Sequence, residues 1–207
     1  KGKKIGVLNY QYRDFKYSDE EIKIMHDAKK LFISLGATVI DIDFVLEDLK
    51  NDKTLIHEFK HDINLYFETL GEDAPFKSLK ELIAFNETHK DRCLKYGQSI
   101  FIASEKTNGD LNDFEYKKLK SEQMHLAQKL EQTLKSYDLD AAYSTIRNSY
   151  APIFGTPTVS VPAKALTDLS PLSIVFFGKK YDDETVINVA HHYEIHTNYR
   201  VPPKIEG

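Results

Sequence analysis

The spacing of apolar residues changes along the chain and predicts its secondary structure. Between Lys4 and Phe44, an apolar run is followed by a helical pattern and then by a second apolar run, ATVIDIDF from Ala37. The helix begins at a capping box on Ser18, in the sequence SDEE, and ends before Gly36. This order predicts a β-α-β unit, for which a right-handed parallel crossover is strongly favoured.

The middle of the chain, residues 46–137, has mostly helical periodicity, whereas the last third returns to short apolar runs separated by Gly and Pro. These runs predict buried strands at residues 140–145, 157–161 and 173–177. A final helix is expected from Asp182 to Thr197, with acidic residues at its start and histidines at its end. The sequence therefore predicts one α/β domain over residues 1–207.

Composition and charge narrow the classes of function. The 28 basic and 32 acidic residues are mixed along the chain and give a net charge of −4, so nucleic acid and anionic membranes are not expected partners. No apolar run approaches the roughly 20 residues of a membrane span, and the N-terminal KGKKIGVLNY is not a signal peptide. The single cysteine, Cys93, is compatible with a cytoplasmic location.

The chain begins at Lys1 without an initiator Met, and we expect it to be a fragment of a longer protein.

One short stretch, IHEFKHD at residues 56–62, matches a zinc-peptidase motif. In that motif, two histidines four residues apart on a helix bind zinc, and the intervening Glu acts as general base. The corresponding residues are His57, Glu58 and His61, and Glu87 is a candidate third ligand. A zinc metallopeptidase is therefore one hypothesis for the function.

A polar helix face is the alternative explanation of the same stretch. At 100° per residue, the histidines point away from an apolar stripe, and the charged residues Lys60 and Asp62 flank His61 directly. The members of the stripe are Leu55, Phe59, Ile63, Tyr66 and Leu70. We favour this explanation, and the sequence predicts no metal site.

Two other pairs have a spacing of four residues. His192 and His196 suit a metal ion, but histidines near a helix C-terminus are more commonly explained by the helix dipole. His89 and Cys93 suggest a nucleophile pair, but a lone cysteine on a helix is usually a small buried hydrophobe. From the residues alone, no complete catalytic constellation is therefore predicted, and no cofactor is expected.

The order of larger blocks resembles the C-terminal part of the amidase signature family of hydrolases. The blocks include KGKKIGVLNY, EFKHDINLYF, LDAAYSTI, GTPTVSVPA and SIVFFGKKYDDETVINVAHHYE. The segment SLKELIAFNETH is similar to one bacterial subgroup of that family. Since EFKHDINLYF corresponds to a scaffold helix there, the resemblance also favours a chance match to the zinc motif.

This resemblance implies a partial mixed β-sheet flanked by helices, the C-terminal portion of an amidase signature fold. It implies hydrolysis of a carboxamide through an acyl-enzyme, in which a Ser nucleophile, a second Ser held by a cis peptide bond and a Lys form the triad. Those residues belong to a Gly/Ser-rich segment and a Lys that precede the region matched here, so the chain alone is expected to be inactive.

The resemblance also implies that this part of the family forms pocket walls. The expected substrate-pocket residues are Ser144, Thr145, Ile146, Phe154, Gly155, Tyr96, Gly97 and Gln98. The expected partners are a small-molecule amide substrate and the missing N-terminal half, and exposure of the surface between the halves predicts self-association. A non-catalytic binding module on an amidase scaffold is a third hypothesis.

Overall fold

The computed structural model describes residues 2–164 and 172–202. Contacts between residues divide the chain into two compact units. One unit, here called the sheet unit, comprises residues 1–47 and 124–207, and the other, the helical unit, comprises residues 48–123. The single domain expected from the sequence stays a prediction.

The sheet unit contains a five-stranded mixed sheet, which confirms the predicted α/β class. Its strands are β1 (Lys4–Gln11), β2 (Thr38–Val45), β3 (Ala141–Ser144), β4 (Thr158–Pro162) and β5 (Ser173–Phe177). They lie in the order β2-β1-β3-β5-β4. β1 pairs in parallel with β2 and β3, whereas β5 is antiparallel to both of its neighbours. β4 is therefore parallel to β1, β2 and β3, and their carboxyl ends lie at one edge of the sheet.

Two helices cover one face of this sheet. They are α1 (Asp19–Ser34) and α8 (Asp183–Thr197). The capping box predicted for α1 is confirmed, since Ser18 and Glu21 each accept a hydrogen bond from the other's backbone N–H. The buried side chains of the two helices and the sheet form one cluster, with Phe32, Tyr143, Phe176 and Tyr193 as its aromatic members. These rings lie with centroids 5.7–6.2 Å apart, which is the usual range for aromatic pairs.

The opposite face of the sheet carries the alternate side chains of β1 and β2. The Tyr10 ring contacts the edge of Phe44, and Phe44 in turn contacts Tyr150 of the short helix α7 (Tyr150–Phe154). The long helix α6 (Phe114–Ser136) contributes buried residues in its second half, including Leu130 and Leu134. A second apolar layer thus completes the sheet unit.

The helical unit contains α2 (Asn51–Thr69), α3 (Leu79–Thr88), α4 (Lys90–Cys93), α5 (Ser99–Glu105) and the first half of α6. Polar contacts join these helices. Lys60 donates to the carbonyl oxygens of Glu105 and Thr107, and so binds the otherwise unpaired end of α5. Gln123 donates to the hydroxyl of Thr54 inside the unit.

The buried face of α2 differs from the one predicted. Leu55, Tyr66 and Leu70 are each at least 40% exposed, whereas Thr54 and Phe67 are buried. The prediction assumed one apolar stripe, but α2 contacts neighbours in several directions, because Thr54 meets α6 and Phe67 meets the ring of Phe76. The predicted stripe was therefore wrong for most of its members.

Among the described residues, none of the helices is long and apolar enough to cross a membrane.

An ion pair joins the starts of β1 and β3. Asp140 accepts hydrogen bonds from Lys3 at 2.7 Å and from the backbone N–H of Lys4 at 2.8 Å. Burial alone would raise the pKa of Asp140, but these hydrogen bonds and the nearby positive charge outweigh it and hold that pKa below its ordinary value of 3.8. The ionised carboxylate therefore stabilises the folded state above about pH 4, and this contribution is lost as the pH falls through the lowered pKa.

Replacement of Asp140 with Asn is expected to lower the free energy of unfolding by about 0.5–1 kcal/mol at neutral pH, because the Lys3 side chain is half exposed and solvent weakens the pair. Denaturant titrations of the full natural protein at several pH values measure this difference. The difference should shrink below about pH 4. A difference that is constant down to pH 2 would contradict the pairing.

Candidate functional site

The carboxyl edge of the sheet contains a topological switch point. From β1 the chain continues to β2 on one side, and the next strand of the sheet, β3, lies on the other side of β1. In open α/β sheets, ligands bind in the crevice outside the carboxyl ends of the strands at such a point. The crevice between β1 and β3 is therefore the first place to look for a site, and Ser144 is the last residue of β3.

A tyrosine hydroxyl occupies the opening between these two strands. The Tyr17 hydroxyl accepts a hydrogen bond from the N–H of Tyr10 at 3.0 Å and donates to the carbonyl of Leu8 at 3.2 Å. It also lies 3.0 Å from Oγ of Ser144. Burial raises the pKa of Tyr17, so the hydroxyl keeps its proton.

The same contacts determine the hydrogen bond to which the Ser144 hydroxyl gives its proton. In the arrangement that satisfies every partner, Tyr17 gives its single proton to Leu8, so Ser144 donates its own proton to Tyr17. The fully buried Ser144 then accepts from the N–H of Ile146 at 3.5 Å. Ser144 is therefore a buried, fully hydrogen-bonded residue at the end of β3, and its place in the substrate pocket stays a prediction.

Asn148 fixes the loop that follows β3. Its side-chain oxygen accepts from the N–H groups of Tyr150 and Ala151, at the start of α7. Its side-chain nitrogen donates to the hydroxyl of Tyr10. Thr145, between Ser144 and Ile146, has a buried hydroxyl without a hydrogen-bond partner within the described part of the chain. Three of the predicted pocket residues thus lie together on a loop held at both ends.

Tyr17 and Asn148 were missed by the sequence reasoning. Tyr17 directly precedes the capping box of α1, and Asn148 precedes a short apolar segment, which is a usual position for a helix-capping residue. Those local signals indicate helix starts but give no sign of a contact with β1 or β3.

Phe154 and Gly155 lie near the amino ends of the parallel strands, at the end of the sheet opposite Ser144. They immediately precede β4, whose first residue is Thr158, and β4 runs parallel to β3. The Lys180 ammonium lies 4.9 Å from the Phe154 ring centre, and Gly155 has a φ of 82° at the end of α7. The structure therefore does not bring these two residues together with Ser144, and their pocket role stays a prediction.

The remaining predicted pocket residues belong to the helical unit. Tyr96 is 90% exposed, and Gly97 has a φ of 72°, a conformation that favours glycine. Gln98 is buried and donates to Glu87 at 2.8 Å while accepting from Asn86 at 3.1 Å. Gln98 thus joins the end of α3 to the start of α5, and the pocket role of all three stays a prediction.

The zinc-motif residues have other partners in the structure. Glu58 accepts hydrogen bonds from the Tyr116 hydroxyl and from the Lys120 ammonium, at 2.7 and 2.8 Å. His57 lies against the Tyr116 ring, and its Nδ1 is buried, whereas the prediction placed it on the polar face of the helix. Within residues 2–164 and 172–202, no group of three or more His, Cys, Asp or Glu side chains is arranged to hold a metal ion.

His89 and Cys93, the candidate nucleophile pair, also have other surroundings in the structure. His89 stacks on Phe85, and its Nδ1 lies 2.9 Å from the carbonyl oxygen of Phe85. Cys93 is exposed, which corrects the expectation that it is a buried hydrophobe; α4 is a single short turn with no buried residue.

Comparison with known proteins shows that the chain is similar to amidases in sequence and fold. No protein-family model matches the chain. It is 27% identical over 210 residues to a probable amidase of Arabidopsis thaliana, covering 99% of this chain and 40% of the relative. An amidase family protein from Bacillus anthracis is 32% identical, with a TM-score of 0.82 and coverage of 99% of this chain and 40% of that one. The peptide amidase of Stenotrophomonas maltophilia is 28% identical, with a TM-score of 0.83 and coverage of 100% and 45%.

The chain is thus similar in sequence and fold to amidases, over nearly its whole length and about two-fifths of theirs. A bacterial aryl acylamidase of the amidase signature family shares the fold at 17% identity, with a TM-score of 0.64. These matches confirm the resemblance to the amidase signature family and the partial mixed sheet predicted from the sequence.

Proposed function

We propose that this chain is the C-terminal part of an amidase that hydrolyses a carboxamide. The main support is that about 30% identity and TM-scores of 0.82 and 0.83 extend over almost the entire chain while covering 40–45% of the amidases. The order of the sequence blocks supports the C-terminal position, because KGKKIGVLNY resembles a stretch that follows the signature region.

In this proposal, the reaction proceeds through an acyl-enzyme. The oxygen of a Ser nucleophile bonds to the carboxamide carbon, the C–N bond breaks, and the amine leaves with a proton relayed through a second Ser and a Lys. Water then hydrolyses the ester and restores the Ser hydroxyl. The 207 residues contain no Ser-Ser pair and no Gly-Gly-Ser run, so the triad is assigned to sequence that precedes this chain.

The role of this chain is to shape the wall of the site. Ser144, Thr145 and Ile146 lie at the switch point, and Tyr17 and Asn148 hold them in place. A loop fixed at both ends can orient a substrate without a large entropic cost. The substrate we would assay first is a peptide with a C-terminal carboxamide, since one of the relatives is a peptide amidase.

The helical unit supports a further part of the proposal, namely a partner that covers its surface. Several large apolar side chains are at least half exposed there, including Tyr66, Tyr96, Ile100 and Phe114. Exposed apolar residues of this number favour contact with another protein surface. We assign that surface to the missing N-terminal half in the full-length protein, and to self-association when the chain is alone.

Turnover by the full natural protein and by residues 1–207 tests the proposal. We expect the full protein to release ammonia from peptide amides and to be inactivated by a serine-directed fluorophosphonate, whereas the chain alone should give no turnover above background. Mass spectrometry of the labelled full protein should place the fluorophosphonate before Lys1. Label attached within residues 1–207 would contradict the assignment of the nucleophile.

Two alternatives predict different results in the same assay. A zinc peptidase that uses His57, Glu58 and His61 would lose activity to a chelator and stay unlabelled, but the ion pair of Glu58 with Lys120 argues against a free general base there. A non-catalytic module would bind amides without turnover in the full natural protein.

A further inference from the structure

The loop between α5 and α6 contains the only Asn-Gly dipeptide in the sequence, Asn108–Gly109. Asn108 is exposed to solvent, and Gly109 has a φ of 68°, in the left-handed region that favours glycine. Asparagine is a chemically labile residue, because the backbone nitrogen of the next residue can attack its side-chain carboxamide. When the next residue is glycine, no Cβ shields that nitrogen. The sequence of this loop therefore supplies both reacting groups.

Hydrogen bonding leaves the Gly109 nitrogen free to react. Within the described part of the chain, the N–H of Gly109 donates to no acceptor. The loop around it is nevertheless held in place by Lys60, which donates to the carbonyl oxygen of Thr107 at 2.8 Å. A Cβ at Gly109 would meet Cγ of Lys60 at 3.2 Å, so the lysine side chain lies directly beside this glycine. Its positive charge favours the anion that forms when a nearby N–H loses a proton.

The Asn108 carboxamide is hydrogen-bonded at both of its polar atoms. Oδ1 accepts from the N–H of Asp110 at 2.9 Å, and Nδ2 donates to the carboxylate of Asp113 at 3.3 Å. A donor on a carbonyl oxygen stabilises the negative charge that develops there when a nucleophile adds to the carbon. The Asp110 N–H therefore lies where it can stabilise the oxyanion formed by attack on Cγ of Asn108.

We propose that Asn108 is a modification site, at which the folded protein loses the side-chain amide through a cyclic imide. The Gly109 N–H gives its proton to hydroxide, and the nitrogen bonds to Cγ of Asn108. The bond from Cγ to Nδ2 then breaks, and ammonia leaves with a proton from water. Water opens the imide at either carbonyl, which yields aspartate or isoaspartate at position 108. Water is the only co-reactant.

The product would weaken the start of α6. Asp113 accepts from the N–H groups of Glu115 and Tyr116 at 2.9 and 3.2 Å, and these bonds hold its pKa below the ordinary value of 3.8. Conversion of Asn108 removes the amide donor and brings a second carboxylate towards this one, and like charges repel. Isoaspartate also lengthens the backbone by one carbon. Faster hydrogen exchange is therefore expected at Glu115 and Tyr116 in converted molecules.

The same loop contains an internal control. Asn112 is exposed like Asn108, but the residue that follows it is Asp113, which has a side chain. The N–H of Asp113 donates to the carbonyl oxygen of Asp110 at 3.2 Å. Attack on Asn112 would require the loss of this hydrogen bond, so Asn112 should react more slowly under the same conditions.

Incubation of the full natural protein at mildly alkaline pH tests the proposal, because loss of the Gly109 proton makes the rate rise with pH. Peptide mass spectrometry measures conversion, and an isoaspartyl methyltransferase labels isoaspartate. Conversion at Asn108 should be at least about tenfold faster than at Asn112, since one donor to an oxyanion changes rates by roughly 10²–10³ in enclosed enzyme sites and by less at an exposed one.

Asn108→Gln is the matched variant, because it keeps the carboxamide but would have to close a larger ring. It should abolish isoaspartate in this loop. Protein denatured in urea shows that the product is detected when it forms. The proposal is overturned if the folded protein converts Asn108 no faster than Asn112, if isoaspartate forms only after denaturation, or if aspartate forms without isoaspartate, as in direct hydrolysis. These outcomes are independent of amidase activity.

Discussion

Replacing Gly178 with alanine is expected to lower the free energy of unfolding by about 3 kcal/mol, because the added methyl group has no space in the fold. Gly178 follows β5, and a Cβ at this position would lie 2.0 Å from Cγ2 of Val186 and 3.3 Å from Cγ of Pro157. Val186 is fully buried on α8, and its β-branched side chain has few alternative rotamers in a helix. The helix must therefore shift away from the sheet, and guanidinium titration of the full natural protein measures the cost.

The double variant with Gly178→Ala and Val186→Ala is the control for this mechanism. Val186→Ala removes the methyl group that causes the clash, so the two costs should sum to more than the cost of the double variant, by at least about 1 kcal/mol. Simple additivity of the two changes would show that the alanine at 178 acts by some route other than contact with Val186.

Tyr17→Phe is expected to lower the free energy of unfolding by about 2–3 kcal/mol, since one hydroxyl serves three partners. Its loss leaves the N–H of Tyr10 and the carbonyl of Leu8 without their side-chain partner, and it also removes the acceptor for the buried Ser144 hydroxyl. An unpaired polar group inside a protein costs more than the net gain from the hydrogen bond that it replaces. The same guanidinium titration of the full natural protein measures this loss.

Tyr181→Phe provides the matched control, because Tyr181 is 88% exposed and solvent replaces its lost hydroxyl interactions. This change should stay within about 0.5 kcal/mol of the unaltered protein. Equal effects of the two substitutions would argue that Tyr17 does not bridge β1 and β3.

The local elements of the sheet unit were predictable because each has a strong short-range cause. The capping box places the start of α1, and the β-branched and aromatic run from Ser173 to Phe177 gives β5 within its observed bounds. The sequence alone could not give the strand order or the reversed direction of β5, since these depend on pairing between distant segments. The face of α2 was misjudged for the same reason, because its neighbours come from other parts of the chain.

Only part of the candidate site could likewise be predicted from the sequence. The resemblance led to the loop of Ser144, Thr145 and Ile146, and the structure places that loop at the switch point of the sheet. The resemblance assigned Phe154 and Gly155 to the same pocket wall, but the chain that connects β3 to β4 runs from the carboxyl end of β3 to the amino end of β4. The contact of Ser144 with Tyr17 spans 127 positions and left no local signal.

The position of Tyr17 also has a consequence for the order of folding. Its contacts with Tyr10 and Leu8 close loops of only seven and nine residues, whereas its contact with Ser144 requires a segment 127 residues away. Short loops close faster and at a lower entropic cost than long ones. The Tyr17 hydroxyl can therefore form its hydrogen bonds to β1 before β3 pairs with that strand. Because it then occupies the N–H of Tyr10 and the carbonyl of Leu8, β3 cannot extend its pairing with β1 past this position.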